Sequence, residues 1–541
     1  MNLFDVVIVG GTPAGLCAGI AAARAGCKAV VLERTAHPGG LCANGLGATD
    51  IGTRGATRGL FTQFIGRVYR HYVETYGEDS EQVRVCSGGY HFEPSVAARI
   101  WAEMVAEYPL LTVLTERQFE ADPGHVAIEP GENPATSRSV KVIHCPTGET
   151  EIYRGHVLID ATYEGDLAAA CGASYRLGRE DAREFKEPFA GVIYKGWDLP
   201  VAEGSTGLGD NAIQAYNYRL CLTKDPARRV SVTQPPHYRR EEYLSLLEDL
   251  RQNRWTGPAN GEKELSGIGR IVNIVDLPNG KTDANNQHLA FLSTDLPEEN
   301  WPWPTASWAW RDRFAERLRD YTLGLLWFCQ NDPELPEDFR QKCSEWGLAA
   351  DEYADNGHFP RQVYVREGRR INGQYRLTAF DTLPPSHEPT GRPPIHPESI
   401  TASDYALDSH AVRKREEGRP HLEGFFNSSS RPYTVPYGVM VPREVENLLV
   451  PVAASASHIG FSTLRMEPCW MALGEAAGLA AALACRDTIA PSALAVSKLQ
   501  DALLEEGAVL VYFRDASPED ADWKDIQRRA LRGELSGWTC R

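Results

Sequence analysis

Twelve cysteines are scattered through the 541 residues, and no two of them are spaced C-x-x-C. That absence excludes a zinc knuckle and the usual ligand run of an iron–sulfur cluster, so no metal site is expected. Basic residues are also short: 56 Lys+Arg face 73 Asp+Glu, for a net charge of −17. Phosphate backbones and acidic lipid surfaces demand the opposite sign, which sets aside nucleic acid and membrane surfaces as bulk partners. No apolar stretch is seen that approaches the roughly 18 residues of a membrane span. The chain opens without a basic segment leading into a cleavable apolar one, and the expected setting is cytoplasmic with reduced thiols. Repeats and low-complexity tracts are missing as well. A small molecule is the expected partner, and self-association is left open. What is present is length enough for two to four domains, with 48 glycines and 35 prolines implying long, rigid loops.

The most informative segment is the first. Residues 6–15 read VVIVGGTPAG: an apolar run suited to a central parallel strand, then a glycine-rich turn into a helix. Gly10 and Gly11 allow the turn, Thr12 and Pro13 open the helix, and Ala14 and Gly15 let it pack close to the strand. Its N-terminus offers free N–H groups to a pyrophosphate. The helix runs to Gly26, a C′ cap. A second strand, Lys28 to Leu32, then delivers Glu33 and Arg34, with Glu33 placed to accept hydrogen bonds from ribose hydroxyls. Thr12 stands where the fingerprint G-x-G-x-x-G has its second glycine. Shortly after, Gly39-Gly40-Leu41-Cys42 lets backbone approach a flat ring or a diphosphate. The two segments together point to FAD rather than NAD.

Along the chain, helices are expected over 55–78 and 94–108 and a strand at Leu111–Thr115. Short strands and turns follow over 118–158, ending in Val157-Leu158-Ile159. Between about 176 and 400, Pro, Trp and charged residues rise and apolar periodicity weakens, with helices near 240–252, 309–330 and 336–346. Asn447–Val450 reads as a buried strand, and 470–485 as a helix with Gly474 and Gly478 four apart. The expected division is an FAD-binding domain in two parts (1–175 and 401–490), a substrate-binding insertion (176–400) and a helical extension (491–541). The fold class is α/β: a Rossmann-like domain of glutathione-reductase type, an inserted α+β domain and a helical tail.

The N-terminus resembles the flavoproteins with two dinucleotide-binding domains. Their glutathione-reductase branch follows the glycine pair with two redox cysteines; here Cys42 fits the first but Gly47 replaces the second, which removes dithiol chemistry. Later blocks resemble one family: 159–166 (IDATYEGD), 214–223, 279–286, 364–370 (YVREGRR), 404–410 (DYALDSH), 455–458 (SASH), Arg465-Met466-Glu467-Pro468 and 473–483. These are similar to the FAD-dependent oxidoreductase family, sometimes labelled xanthan lyase, over roughly residues 5–485. The resemblance implies that Ala161 and Thr162 pass the adenosine–diphosphate side. It also implies that the last helix points its N-terminus at the flavin, with Met471, Ala472 and Leu473 as backbone donors.

A dehydrogenation needs a base while hydride leaves for the flavin. His458 is the first candidate, His410 the second, and Arg465 could hold a carboxylate or a developing oxyanion. Arg366, Arg369 and Arg370 with Glu367 read as an internal ion network or as substrate contacts. The run WPWPTASWAW at 301–310 reads as aromatic surface over a cleft or as an apolar plug. The favoured function is oxidation of a small organic substrate at a C–H bearing oxygen or nitrogen. The alternatives are a flavin monooxygenase reduced by NAD(P)H and a non-catalytic flavin-binding protein.

Overall fold

In the computed structural model, residues 2–128, 138–255 and 266–541 are described; part of the strand-and-turn stretch expected over 118–158 lies outside them. The centre is a five-stranded parallel sheet. Its strands are β1 (Val6–Val9), β2 (Ala29–Leu32), β3 (Leu111–Leu114), β4 (Val157–Asp160) and β5 (Leu448–Leu449). In space they run β5-β4-β1-β2-β3. Val6 pairs with Ala29 on one side and Val157 on the other, so β1 lies at the middle and is buried on both faces. That explains its unbroken apolar run.

Helix α1 (Pro13–Arg24) starts where expected: Pro13 sits in the first turn and the Thr12 hydroxyl accepts from the Gly15 N–H. Gly26 follows its end at φ +92°. α2 (Gly40–Asn44) carries the glycine pair, and α3 (Leu60–Tyr76) and α4 (Pro94–Ala106) match the expected helices within a few residues. The last long helix differs. α5 (Trp308–Asn331) and α6 (His458–Leu464) precede it, and α7 spans Glu467–Asp487, beginning ahead of Met471. Pro468 belongs to its first turn, where a missing N–H costs nothing.

α7 is also longer and more apolar than the sequence reading allowed. Within its 21 residues an 18-residue window reaches a mean hydropathy of 1.3, enough by length and composition to cross a bilayer, and 94% of that window is buried inside the protein. It packs on α1. A Cβ on Gly474 would fall 2.1 Å from the Ala14 carbonyl oxygen, and one on Gly478 2.0 Å from that of Ala18. The two glycines thus serve a helix–helix crossing.

Two further five-stranded sheets flank this core. One is built around the hairpin Arg138–His144 and Glu149–Gly155. The other is antiparallel, ordered 229–230, 347–349, 220–223, 281–286, 272–277, and draws all its strands from residues between β4 and β5. Helix α5 lies in that same stretch of chain.

Candidate functional site

A cleft opens at the C-terminal ends of β1, β2 and β4. Gly10, Thr12, Glu33, Gly40, Thr162 and Tyr163 line it. Glu33 closes the end of β2: its carboxylate accepts from the Gly11 N–H (2.8 Å), the Thr35 N–H (2.7 Å) and the Thr35 hydroxyl (2.8 Å). Burial pushes that carboxyl above its ordinary range, and the three bonds work against it. Thr12 explains the missing second glycine. Its hydroxyl donates to the Ala161 carbonyl (2.8 Å) while capping α1, which ties the first turn to the end of β4. Thr162 in turn donates to Asp160 (2.7 Å) and accepts from the N–H groups of Gly165 and Asp166. Glycine is required where backbone meets backbone: a Cβ on Gly10 would lie 2.7 Å from Ala161, and Gly10 sits at φ +100°.

The far wall of the cleft comes from the 301–312 segment. Trp303 donates through Nε1 to Glu164 (2.9 Å), and Trp308 to the Phe119 carbonyl (2.9 Å). Arg311 grips Asp166 with both terminal nitrogens (2.5 and 2.8 Å), and Arg369 adds a third bond at 2.7 Å. Burial pushes Asp166 up, yet the two guanidinium groups outweigh it and hold the carboxylate ionised. The tryptophan-rich run is therefore both lining and plug.

A second cavity of about 300 Å³ lies between residues 286–297 and 410–425, with His288, Phe291, Asp295, His410, Arg413 and Phe425 among its walls. His410 Nδ1 is 2.8 Å from Asp295, and Nε2 is 3.5 Å from Asp408. Asp295 also accepts from Arg366 (2.9 Å); Asp408 accepts from Arg465 (3.1 Å), which donates to the Tyr364 hydroxyl as well (3.1 Å). Burial raises both acids, but their bonds and ionic contacts, with Arg366 and His410 for Asp295 and with His410 and Arg465 for Asp408, leave each below the usual carboxylate range. On the same wall, the His288 ring stacks on Trp197 at 4.5 Å, and chiefly burial holds it below the usual imidazole range.

A family model described as FAD dependent oxidoreductase matches residues 5–503. The chain belongs to this family. It is thus an FAD-dependent oxidoreductase, an enzyme with FAD as its cofactor. No curated protein matches the chain. Among solved structures, it is similar to the OxyS anhydrotetracycline hydroxylase from Streptomyces rimosus, at 18% identity and a TM-score of 0.23 over 33% of this chain and 35% of that one. It is similar to the flavin-dependent monooxygenase PieE, solved with FAD and substrate, at 16% identity and 0.22 over 34% and 36%. It is also similar to the L-proline dehydrogenase from P. horikoshii, at 15% and 0.17 over 33% and 25%. The matches to these structures span about a third of their lengths or less.

The residues of the cleft fit FAD. Gly10 and Gly40 line the cleft with bare backbone, the α1 N-terminus faces it, and Glu33 offers carboxylate oxygens at the end of β2. In this flavoenzyme, Gly10, Gly11, Thr12, Pro13, Gly15, Glu33, Gly40, Ala161 and Thr162 come together at the cleft or directly behind it, and Gly39 and Leu41 stand on either side of Gly40.

Arg34 also lines the cleft, held by Gln118 (2.9 Å) and Asp312 (2.7 Å) and lying over Trp308 at 4.2 Å. Other expected cofactor contacts take part in the protein's own packing. Ala14 faces α7. Cys42 is fully buried, with its thiol pushed well above the ordinary range by burial. Met471, Ala472 and Leu473 lie inside α7, past the first turn whose N–H groups are open, and Gly474 meets α1.

The first-choice base is displaced as well. His458 is 1% exposed, and its ring lies between Glu367 (Nδ1, 3.0 Å) and the Ser409 hydroxyl (Nε2, 3.4 Å). With both nitrogens engaged it lines neither cavity; it starts α6, where its N–H donates to Glu180 (2.7 Å). Arg465 is spent on Asp408 and Tyr364. Arg366, Arg369 and Arg370 form the internal ion network. Sequence reading missed Asp295, which stands 115 residues from His410 and carries no local signal.

Proposed function

We propose that this enzyme oxidises a small organic substrate, at a carbon bearing oxygen or nitrogen, in the cavity faced by His410. The carrying observation is the relay Arg366–Asp295–His410 at that cavity wall. Asp295, kept ionised by Arg366, accepts the Nδ1–H of His410 and so fixes the tautomer whose Nε2 has the lone pair. That nitrogen can take the proton from a substrate hydroxyl or amine. The pairing of Asp408 with Arg465 leaves one carboxylate near Nε2 to stabilise the imidazolium once it forms. FAD, when bound, supplies the hydride acceptor for such an oxidation. Phe291 and Phe425 give the cavity apolar walls, and the 176–400 segment forms most of it, as a substrate-binding insertion would. The setting remains cytoplasmic in this reading and the partner a small molecule.

The test is anaerobic bleaching of the flavin absorbance with a panel of alcohols, amines and hydroxy acids. His410→Asn should retain FAD and slow bleaching by a factor on the order of 10² to 10⁴. Bleaching as fast as in the parent would remove His410 from the reaction. Prompt bleaching by NADH or NADPH alone would turn the reading toward the monooxygenase alternative.

A further inference from the structure

The cavity faced by His410 changes character along one stretch of chain. His410, Arg413, Lys414 and Arg415 all line it. Exposure rises along that stretch, from 8% at His410 to 34% and 26% for the side chains of Arg413 and Arg415. His410 thus lies deep, and the three cations stand toward the mouth. On a chain of net charge −17 this is a local reversal of sign.

The two carboxylates on the cavity walls are already matched. Asp295 is taken by Arg366 and His410, and Glu242 is bridged by Arg239 and Arg317. The mouth cations are matched less completely. Among the described residues Arg415 makes one hydrogen bond, from Nη1 to Asp249 (2.8 Å), and that same oxygen also accepts from Arg254 (3.0 Å). One carboxylate therefore serves two guanidinium groups. Arg413 lies 3.3 Å from Glu423 and 3.5 Å from Asp210, but both acids make closer bonds to Arg179. Lys414 is half exposed and paired with Glu299 (2.7 Å), and its N–H donates to Glu298 (3.1 Å), so it adds little. Arg415 is also fixed in place: its guanidinium lies over the Phe291 ring at 4.1 Å, and that of Arg413 over Trp301 at 4.8 Å. An aromatic ring beneath a guanidinium holds it while leaving its N–H edge open to an anion.

We propose that this cavity takes a carboxylate-bearing small molecule, with Arg415, supported by Arg413, holding the carboxylate at the mouth. This names the substrate class of the functional reading above and rests on that reading for its chemistry. The carboxylate is a handle and does not react. Deeper in, the substrate O–H or N–H proton passes to His410, hydride leaves the adjacent carbon for the flavin, and a C=O or C=N bond remains. Phe291 and Phe425 receive an apolar body between the two ends. The positive mouth also draws anions toward a protein that otherwise repels them.

The experiment offers 2-hydroxy-3-phenylpropanoate and its neutral amide to the oxidised, FAD-loaded His410→Asn protein in titration calorimetry. The acid should bind at least about tenfold more tightly than the amide. Adding Arg415→Gln should weaken the acid by about 10- to 100-fold and cancel the preference. Asp249 keeps Arg254 in that variant, so no buried charge is stranded. Arg415→Lys should keep part of the preference, because it retains charge without the planar fork. If Arg415→Gln fails to fold, Arg415→Lys and the loss of acid affinity with added salt decide the matter. Equal affinity for acid and amide, or a preference that Arg415→Gln retains, overturns this proposal and leaves the role of His410 standing. Acid binding that depends on Arg415 supports it even where anaerobic bleaching of the parent shows no oxidation; that second result overturns the functional reading instead.

Discussion

The two sides of this molecule are held by different materials. Around β1, α1 and α7 the contacts are apolar and close: Val6 to Val9 are fully or almost fully buried, and glycine stands wherever two backbones touch. Outside that core, at the far wall of the cleft and around the second cavity, the interior is ionic. Arg311, Arg366, Arg370 and Arg465 are almost completely buried, each against a carboxylate: Asp166, Asp295, Glu180 and Asp408. The apolar half derives its stability from area removed from water and from dense packing. The ionic half gains little net stability from its pairs, because desolvation nearly offsets attraction, but it suffers badly when one partner is lost. What it gains is fixed geometry, each carboxylate being oriented from two sides. The difference separates a half built for holding a ligand common to many chains from a half built around particular proton positions.

The most severe way to break the apolar half is Gly474→Leu. Its Cβ would meet the Ala14 carbonyl at 2.1 Å, backbone against backbone, with no flexible neighbour to yield. The expected loss exceeds about 4 kcal/mol, read as a collapse of the denaturation midpoint together with FAD retention. Somewhat smaller is the break in the ionic half. Asp166→Ala strands Arg311 and Arg369 without their carboxylate, at an expected cost of about 3–5 kcal/mol by chemical denaturation. A cost below about 1 kcal/mol would mean that water enters and the ionic half is softer than described.

The third prediction uses the exception that sharpens the contrast. Glu475 is a buried carboxyl on the apolar side, where its Oε2 accepts the Leu60 N–H (2.8 Å) at the start of α3. Burial pushes it up to about 7 from 4.5. Because the folded value is raised, the folded state binds the proton more tightly than the unfolded chain. The stability it contributes is complete below about pH 4.5 and is lost as pH rises through about 7, a span of roughly 3 kcal/mol. Glu475→Gln should flatten that slope in denaturation curves measured across the window; an unchanged slope would assign it to other groups.

The same contrast decides what could be read from sequence. The apolar half announces itself locally: strand, glycine turn, N-cap and acid all fall within residues 6–33, so each neighbour in sequence is a neighbour in space. The glycine pair and the α/β class followed from the same local grammar. Where the local reading misled, it started the last long helix at 470, whereas α7 begins at Glu467 with Pro468 in its first turn. The ionic half has no such grammar. His458 and His410 both lie in polar, loop-like sequence, and only their partners distinguish them. Those partners are Glu367 and Asp295, 91 and 115 residues away. Nothing in local periodicity says which histidine is walled in and which faces a cavity.

The crossing of α1 with α7 has a consequence in time. α1 ends at Arg24, and the helix that covers it begins at Glu467. A ribosome adding 5–20 residues per second needs on the order of half a minute to deliver the second after the first. Throughout that interval the carbonyl-lined face of α1 and the open edge of β4, which only β5 will pair, have no permanent neighbour. The first strand and helix of the cofactor cleft thus wait for a segment made more than four hundred residues later.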